Sequence, residues 1–548
     1  MTGVWYQNYN PLGNAALSTI VATVPVLLLF YFLAVRKSRA YLAAIYALIA
    51  AILSALLVFR MPAGMVAGAV AGGLVYGVVR VAWVLLAAVF VYELTVETGH
   101  FEKIKASIGG ITDDRRLQVL LIAFAFGALL EGSGGGGAPV AVTGAMMVGL
   151  GFNPFQTALM CLIANSAPVA YGGMGNPIRT LVAVTALPEA DLSAMVGRIL
   201  PLTTLVLPFY LIRVMVTGRE TLAVWPGLLA CGIAFGGIQF FWSNFVDASL
   251  VDIVGGMGTL LLLAVFFSFW KPKQVWRYPG EAATGMHAGR YRKSEILHAW
   301  SPFILLGVFV VIWGLPFMIK TLDPTTVRMP VPGLHHQVIR HAPVMPKDFA
   351  EPAVFDFAWL SGVGTATFFA GLLAGPLLGL SLTRTLGVFW KTLLAIRYSL
   401  IAIIAMMALG YLTRYSGMDA VMGLAMARTG VLFPMFGTLI GWMGVALSGT
   451  DAGSNALFGS LQVMTANQLG LSPVLMAAAN SAGGVMGKMI AAQSIIVGCA
   501  ATGIQGREGD VFRAVLKHSL FLAVLIGLIV TLYAYVFPGA IPHGHRFW

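Results

Sequence analysis

Two carboxylates and one ammonium, each set in long apolar sequence, are the groups in this chain that could do chemistry. Glu131 ends an apolar stretch and opens the run Glu131-Gly-Ser-Gly-Gly-Gly-Gly-Ala-Pro139. Asp451 lies in Gly449-Thr-Asp-Ala-Gly-Ser-Asn455, and Lys488 is the one Lys in the apolar neighbourhood Ala482-Gly-Gly-Val-Met-Gly-Lys-Met489. An ionisable group within a bilayer is expensive unless paired or wet, so it marks an ion or substrate path by default. Glu131 and Asp451 are therefore candidate proton-coupling acids, because burial and a neighbouring Lys can move a carboxyl between protonation states. Lys488 has three options: to pair with Asp451, to pair with Glu131, or to bind an anionic substrate. The five glycines after Glu131 cost roughly 1 kcal/mol each in a helix relative to Ala. Such a break exposes free N–H groups, which suit an anion. Candidate substrate contacts are Gly134, Gly135, Gly137, Asn165, Ser454, Asn455, Asn480, Lys488, Gln493 and Ser494.

Each of these residues also has a structural reading. The glycines could serve only close helix packing, though that leaves Glu131 unexplained. Asp451 could be a buried helix cap, Lys488 could snorkel to an interface, and the amides could be helix–helix contacts. Gly132, Gly134 and Gly137 match a dinucleotide-binding spacing, but no strand or α/β unit surrounds them. The segment ending in Lys488 is not a phosphate loop, since Ala482 and Met489 stand where Gly and Ser or Thr are required. His335, His336 and His341 lie in a Pro-rich loop without metal-ligand spacing. Arg179 follows the kinked Asn176-Pro-Ile178, and His518 lies beside Lys517 near the start of a span.

The pattern that positions these residues occurs twice. Leu94 to Gly99 (Leu-Thr-Val-Glu-Thr-Gly) precedes Glu131 by 32 residues, counted from Gly99. Leu412 to Gly417 (Leu-Thr-Arg-Tyr-Ser-Gly) precedes Asp451 by 34, counted from Gly417. Each acid is followed by a Leu-Gly-x-x-Pro ending at Pro154 or Pro473, then by Ala-Asn-Ser-Ala at 164–167 or 479–482. Two related halves with broken apolar helices are the expected signature of a secondary transporter. The first repeat spans approximately 62–217 and the second approximately 384–537, within a single membrane domain over 1–548.

Composition agrees. Of 548 residues, 59% are hydrophobic and 10% charged, against about 25% charged in soluble domains. The net charge of +12 fits basic cytoplasmic loops and calls for no nucleic acid. Cys161, Cys231 and Cys499 are far apart in apolar sequence and read as core residues. The N-terminus lacks a basic signal-peptide region, and a span from about 15 to 35 precedes Arg36, Lys37 and Arg39, which puts the N-terminus outside. Further spans are expected at about 40–59, 79–97, 116–131, 154–174, 196–216, 222–243, 249–269, 297–319, 357–380, 398–413, 429–448, 471–486 and 513–537, with 62–78 and 487–505 apolar but interrupted. The basic loop 271–296 belongs in the cytoplasm and the Pro-rich loop 320–356 outside. On this topology the two copies run in opposite directions, an inverted repeat with one site near the midplane. The fold expected is an all-α polytopic membrane protein of about 12–14 transmembrane helices, in two inverted repeats with re-entrant or broken helices.

At these residues the chain resembles the lactate permease family. Trp5-Tyr-Gln-Asn-Tyr-Asn-Pro-Leu-Gly-Asn14, Leu130-Glu-Gly132 with Gly137-Ala-Pro-Val-Ala141, Asp451 with Ser454-Asn-Ala-Leu-Phe458, and Gly483-Gly-Val-Met-Gly-Lys-Met489 with Gln493-Ser494 are similar to that family's segments in the same order. Gly136 and Ala492 depart from the family's common Phe and Pro. The resemblance implies proton-coupled uptake of L-lactate, glycolate or a similar 2-hydroxy monocarboxylate across a bacterial inner membrane, with no cofactor. Its partners would be the small carboxylate, protons and the lipid bilayer. The alternatives are a Na⁺-coupled or dicarboxylate or sulfonate transporter of similar architecture and, further off, a membrane-embedded enzyme.

Overall fold

The computed structural model describes residues 3–32, 36, 38–133, 138–278, 291–345 and 347–547. Apolar sequence without a soluble α/β pattern folds here almost entirely as helix, which satisfies every backbone group internally. Among the described residues, ten helices are long and apolar enough to cross a bilayer, or up to eleven if the bent pair Pro473–Ile490 and Gln493–Ala501 is one span. Four shorter apolar helices, Ala15–Leu29, Pro139–Gly149, Pro154–Ala164 and Gly364–Leu377, accompany them. The chain is an all-α polytopic membrane protein.

Two segments differ from the pattern. The Gly-rich stretch 62–78 is not interrupted: Ala63–Glu97 forms one 35-residue apolar helix. Its glycines serve contact, since a methyl group at Gly73 would come within 2.5 Å of the Ala408 backbone. The expected span 398–413 is the second part of a longer helix, Leu382–Ser416. Arg384, Lys391 and Arg397 therefore lie on a helix, where Lys391 pairs with Glu97 at 2.9 Å.

Both repeat segments contain the same order of pieces. Gly99 (φ 71°) and Gly417 (φ 84°) each take the left-handed conformation between a long helix and a short one, a backbone state that glycine adopts without strain. Asn153 and Ser472 each cap a helix that begins with Pro, Pro154–Ala164 and Pro473–Gly487, as expected for proline at the first helical position. The halves then diverge. The first helix stops at Ala164, and the chain passes through an irregular segment with Gly173, Met174 and Gly175 all at positive φ. The second continues unbroken to Gly487.

The unbroken helix is held by very close packing. Phe433–Ser448 and Pro473–Gly487 touch through glycines. A methyl group would come within 2.0 Å of the Asn480 carbonyl oxygen at Gly441, 2.2 Å of the Thr438 carbonyl oxygen at Gly483, and 2.1 Å of the Trp442 carbonyl oxygen at Gly487. Small residues allow this approach in a bilayer, where packing rather than the hydrophobic effect joins helices.

The loops fold against one another in two groups. Trp5–Tyr6 pairs in parallel with Val338–Ile339 of the Pro-rich loop. The basic segments meet separately: Arg116 donates to the Gln274 carbonyl at 3.0 Å, and the Trp276 N–H donates to Asp114 at 3.0 Å. Both pairings join segments that the charge pattern assigns to a common side.

A buried ion cluster fastens the Pro-rich loop to the bundle. Glu351 accepts from Arg414 Nε at 2.8 Å and lies 3.1 Å from Arg340. Burial disfavours the Glu351 carboxylate, but Arg414 and Arg340 outweigh it and hold the carboxyl below its usual range. A depressed carboxyl stabilises the fold above its unfolded pKa, and that contribution is lost as the pH falls through the folded value. Glu351→Gln should leave two buried cations short of a partner and cost about 3–5 kcal/mol, read as a lower melting temperature in detergent. Acidification below the ordinary Glu range should lower the wild-type melting temperature and change that of Glu351→Gln much less. Equal pH slopes for the two proteins would contradict this account.

Candidate functional site

One cavity, open at the Ser399 and Gln493 side, collects the groups singled out above. It measures about 110 Å³, and Glu131, Asp451, Lys488 and Gln493 all line it. That volume admits a few water-sized groups and is well below the several hundred Å³ of a typical drug-sized site. The broken segment of the first half contributes Gly172, Gly173, Asn176 and Pro177, and the long helix Leu382–Ser416 contributes Ser399, Ala402, Ile403 and Met406. The three charged side chains are each 3% exposed.

Asp451 is the first residue of the helix Asp451–Leu469, and the cap is Thr450, whose hydroxyl accepts the Gly453 N–H at 3.0 Å. The positive end of that helix favours an anion at Asp451. Asp451 Oδ2 accepts from Asn455 Nδ2 at 3.4 Å and from the Ser481 hydroxyl. Behind it a chain of amides locks the geometry. Asn480 Nδ2 donates to Asn455 Oδ1 at 2.9 Å and to Ser454 Oγ at 3.4 Å, and Gln462 Nε2 donates to Asn480 Oδ1 at 3.1 Å. Asn455 also donates to the Pro177 carbonyl at 3.2 Å, which ties the second half to the broken segment of the first. Ser454, Asn455 and Asn480 thus sit behind the cavity wall rather than on it: they point into helix interfaces one turn or one helix away from Asp451.

Lys488 follows the tightly packed helix Pro473–Gly487. Its ammonium donates to the Gly449 carbonyl at 2.8 Å, which the left-handed turn at Gly449 leaves open. No carboxylate lies within 4 Å of it among the described residues. An ammonium has three donors, so two remain for whatever enters.

Glu131 is differently placed. It sits in the short helix Gly127–Ser133, and its Oε2 has no hydrogen-bond partner among the described residues. Gly172 leaves it room, since a methyl group there would come within 2.9 Å of Oε1. Asn165 ends the helix Pro154–Ala164 beside Glu131, with both amide atoms unpartnered among the described residues. Ser494 is buried with its hydroxyl likewise unpartnered, off the cavity wall. Gly134, Gly135, Gly136 and Gly137 lie outside the described residues.

The weaker candidates have structural places. Arg179 donates to the Met174 carbonyl and to Ser249, bracing the kink. His341 bonds the Gln7 carbonyl at 2.8 Å, His335 Nδ1 accepts the Ala353 N–H at 3.1 Å, and His518 contacts Tyr210. The three cysteines are free and buried. Sequence reasoning missed Asp252, which is 0% exposed in the first turn of Val251–Phe269, adjacent to Gly132. A lone acid in an apolar run was the available signal.

Comparison with known proteins gives a consistent result. The L-lactate permease family matches residues 18–537. The chain is 42% identical to glycolate permease GlcA of Escherichia coli K12, over 98% of this chain and 99% of that one. It is 41% identical to the L-lactate permease of Salmonella typhimurium and 40% identical to that of Bacillus subtilis, in each case over 98% of this chain and the full length of the relative.

The packing around Asp451 makes Gly484 a sensitive position, because a methyl group there would come within 2.3 Å of Asp451 Oδ1. Gly484→Ala should cost about 1–3 kcal/mol by overpacking and abolish substrate binding in protein that still reaches the membrane. Gly237→Ala, where nothing lies within 4 Å, should leave binding unchanged. Binding by purified protein of each variant checks this.

Proposed function

Because the chain belongs to the L-lactate permease family, we propose that it carries L-lactate, glycolate or a similar small 2-hydroxy monocarboxylate into the cell with protons, across a bacterial inner membrane and with its N-terminus outside. Membership makes it a multi-pass membrane transporter, not an enzyme. The observation that carries the finer reading is the shared cavity of Glu131, Asp451 and Lys488.

The charges in that cavity supply a coupling rule. Asp451 has donors from Ser481 and Asn455 and a helix N-terminus, all of which favour its ionised form. Together with Lys488 it is neutral. Glu131 then decides the balance, with its Oε2 unpartnered. An ionised Glu131 gives the cavity one negative charge. A substrate carboxylate brings another, and two uncompensated charges among groups so little exposed repel strongly. The anion therefore enters when Glu131 takes up a proton, so the cavity holds either the Glu131 charge or the substrate charge. By linkage, protons and substrate each raise the other's affinity. The N–H donors of Lys488 suit the carboxylate, and the Gln493 amide on the cavity wall suits a hydroxyl. The repeated pieces of the two halves support rocking about this site, with each half opening it to one side.

Lys488→Met should weaken lactate or glycolate binding roughly ten- to a hundredfold, the worth of one charge-assisted hydrogen bond. Lys488→Arg should rescue it in part, because the guanidinium is larger and planar. Unchanged affinity in folded Lys488→Met protein would remove the ammonium from the site.

In proteoliposomes, Glu131→Gln should exchange substrate across the membrane yet fail to accumulate it against a gradient. Asp451→Asn should lose binding itself. Wild-type uptake that requires Na⁺ and ignores a proton gradient would overturn the coupling, and exchange-only behaviour in Asp451→Asn with normal accumulation in Glu131→Gln would reverse the two acids.

A further inference from the structure

Asp252 has no part in the cavity wall, and its surroundings set it apart from the structural acids of this chain. Its side chain is fully buried, and neither carboxyl oxygen has a hydrogen-bond partner among the described residues. Asp114, Glu351 and Asp451 are also buried, but each accepts hydrogen bonds or pairs with Arg. Asp252 lies directly against the residue that follows Glu131. A methyl group at Gly132 would come within 2.8 Å of Asp252 Cβ and 2.9 Å of the Ile253 nitrogen. Glycine at 132 lets the two helices close on one another, and Asp252 is near enough for the charge on Glu131 to act on it, with the two carboxyls beyond hydrogen-bond distance.

We infer that Asp252 is a second proton-holding carboxyl, in series with Glu131 and behind it as seen from the cavity. The inference rests on the proton-coupled reading above. An ionised Asp252 with no donor in so dry a place would cost several kcal/mol, so in this conformation it carries its proton. Two adjacent carboxyls without a cation between them do not both ionise. The carboxyls do not touch in this conformation, so the exchange runs through one bridging water: the Asp252 O–H bond breaks as its proton passes to the water, a water O–H bond breaks as an O–H bond forms on the Glu131 carboxylate, and the negative charge moves from Glu131 to Asp252. Asp252 can accept that charge briefly because it lies in the first turn of its helix, where free N–H groups favour an anion. Glu131 then presents a neutral carboxyl to the cavity, the state in which the substrate anion enters.

The other ionisable groups around the pair do not replace this role. Tyr171 is within electrostatic reach of Asp252 but donates its hydroxyl to the Ser193 carbonyl at 2.7 Å. Arg179, from the broken segment packed on this helix, donates to Ser249 and the Met174 carbonyl. The neighbouring helix Trp225–Phe245 and the segment Leu120–Phe126 carry no carboxyl, amine or imidazole. Lys488 acts on Glu131 from the cavity side.

The test uses the full chain in proteoliposomes, with lactate and glycolate as probes. Asp252→Asn is nearly isosteric and should exchange substrate at close to the wild-type rate but lose accumulation driven by a proton gradient. Asp252→Glu, which keeps a carboxyl, should retain accumulation with a shifted pH profile. Infrared spectroscopy gives a second reading, independent of transport: wild-type protein should show a buried protonated-carboxyl carbonyl band that Asp252→Asn lacks and Asp252→Glu shifts. Normal accumulation in Asp252→Asn, or a wild-type spectrum without that band, would overturn the inference. If wild-type uptake itself ignores the proton gradient, the coupling reading fails, and the infrared band still decides whether Asp252 holds a proton. Should Asp252→Asn not fold, the wild-type and Asp252→Glu spectra settle the same point.

Discussion

The constraint on which this structure depends is the balance of charge among buried groups that share one small cavity. Lys488 is buried with a single backbone acceptor, and no carboxylate lies within ion-pair distance among the described residues. It is tolerated because Asp451 and Glu131 share its cavity and attraction across several ångströms remains large where water is scarce. The two acids are not equivalent. Asp451 Oδ2 accepts from Asn455 and Ser481 while its Oδ1 is unpartnered among the described residues, whereas Glu131 faces glycine and Asn165 and accepts no hydrogen bond at Oε2. On the proposed function, that asymmetry is what lets the cluster trade a proton for an anion.

Backbone packing sets the geometry of the cluster. The glycine contacts between Phe433–Ser448 and Pro473–Gly487 fix the end of the second helix, and with it Lys488, against the turn at Gly449. The amide chain from Gln462 through Asn480 to Asn455 fixes Asp451 and reaches across to Pro177. A shift of either half against the other must therefore alter the cavity. Hydrogen-bonded networks of this kind favour one arrangement, and an unsatisfied group within them is costly. Among the described residues, unpartnered polar atoms occur on both sides of the cluster, at Asn165, Glu131 and Asp252 and at Asp451 Oδ1, Gln462 Oε1 and Ser494.

Much of this was legible in the sequence, for physical reasons. Charges inside apolar stretches are rare enough to be noticed, so Glu131, Asp451 and Lys488 stood out, and they do share one cavity. The repeated Leu-Gly-x-x-Pro and Ala-Asn-Ser-Ala segments marked helix starts and residues near each acid: Asn165 lies beside Glu131, Ser481 donates to Asp451, and Asn480 reaches it only through Asn455. Hydropathy could not tell a span from a broken one: 154–174 reads as continuous, but the helix ends at Ala164 and the chain then turns through Gly173, Met174 and Gly175, all at positive φ. The uneven role of the amides was also hidden, because Gln493 lines the cavity while Asn455 and Asn480 face helix interfaces. Asp252 was overlooked because its partner is distant in sequence, and only the fold brings it to Gly132.

The central claim is that an entering anion takes the place of the negative charge on Glu131. Calorimetry of lactate or glycolate binding to purified protein, repeated in buffers of different ionisation heat, measures the protons taken up with each anion directly. The account predicts net proton uptake on binding at neutral and higher pH, disappearing in Glu131→Gln while binding persists. Binding with no proton uptake in the wild type across that range would contradict it.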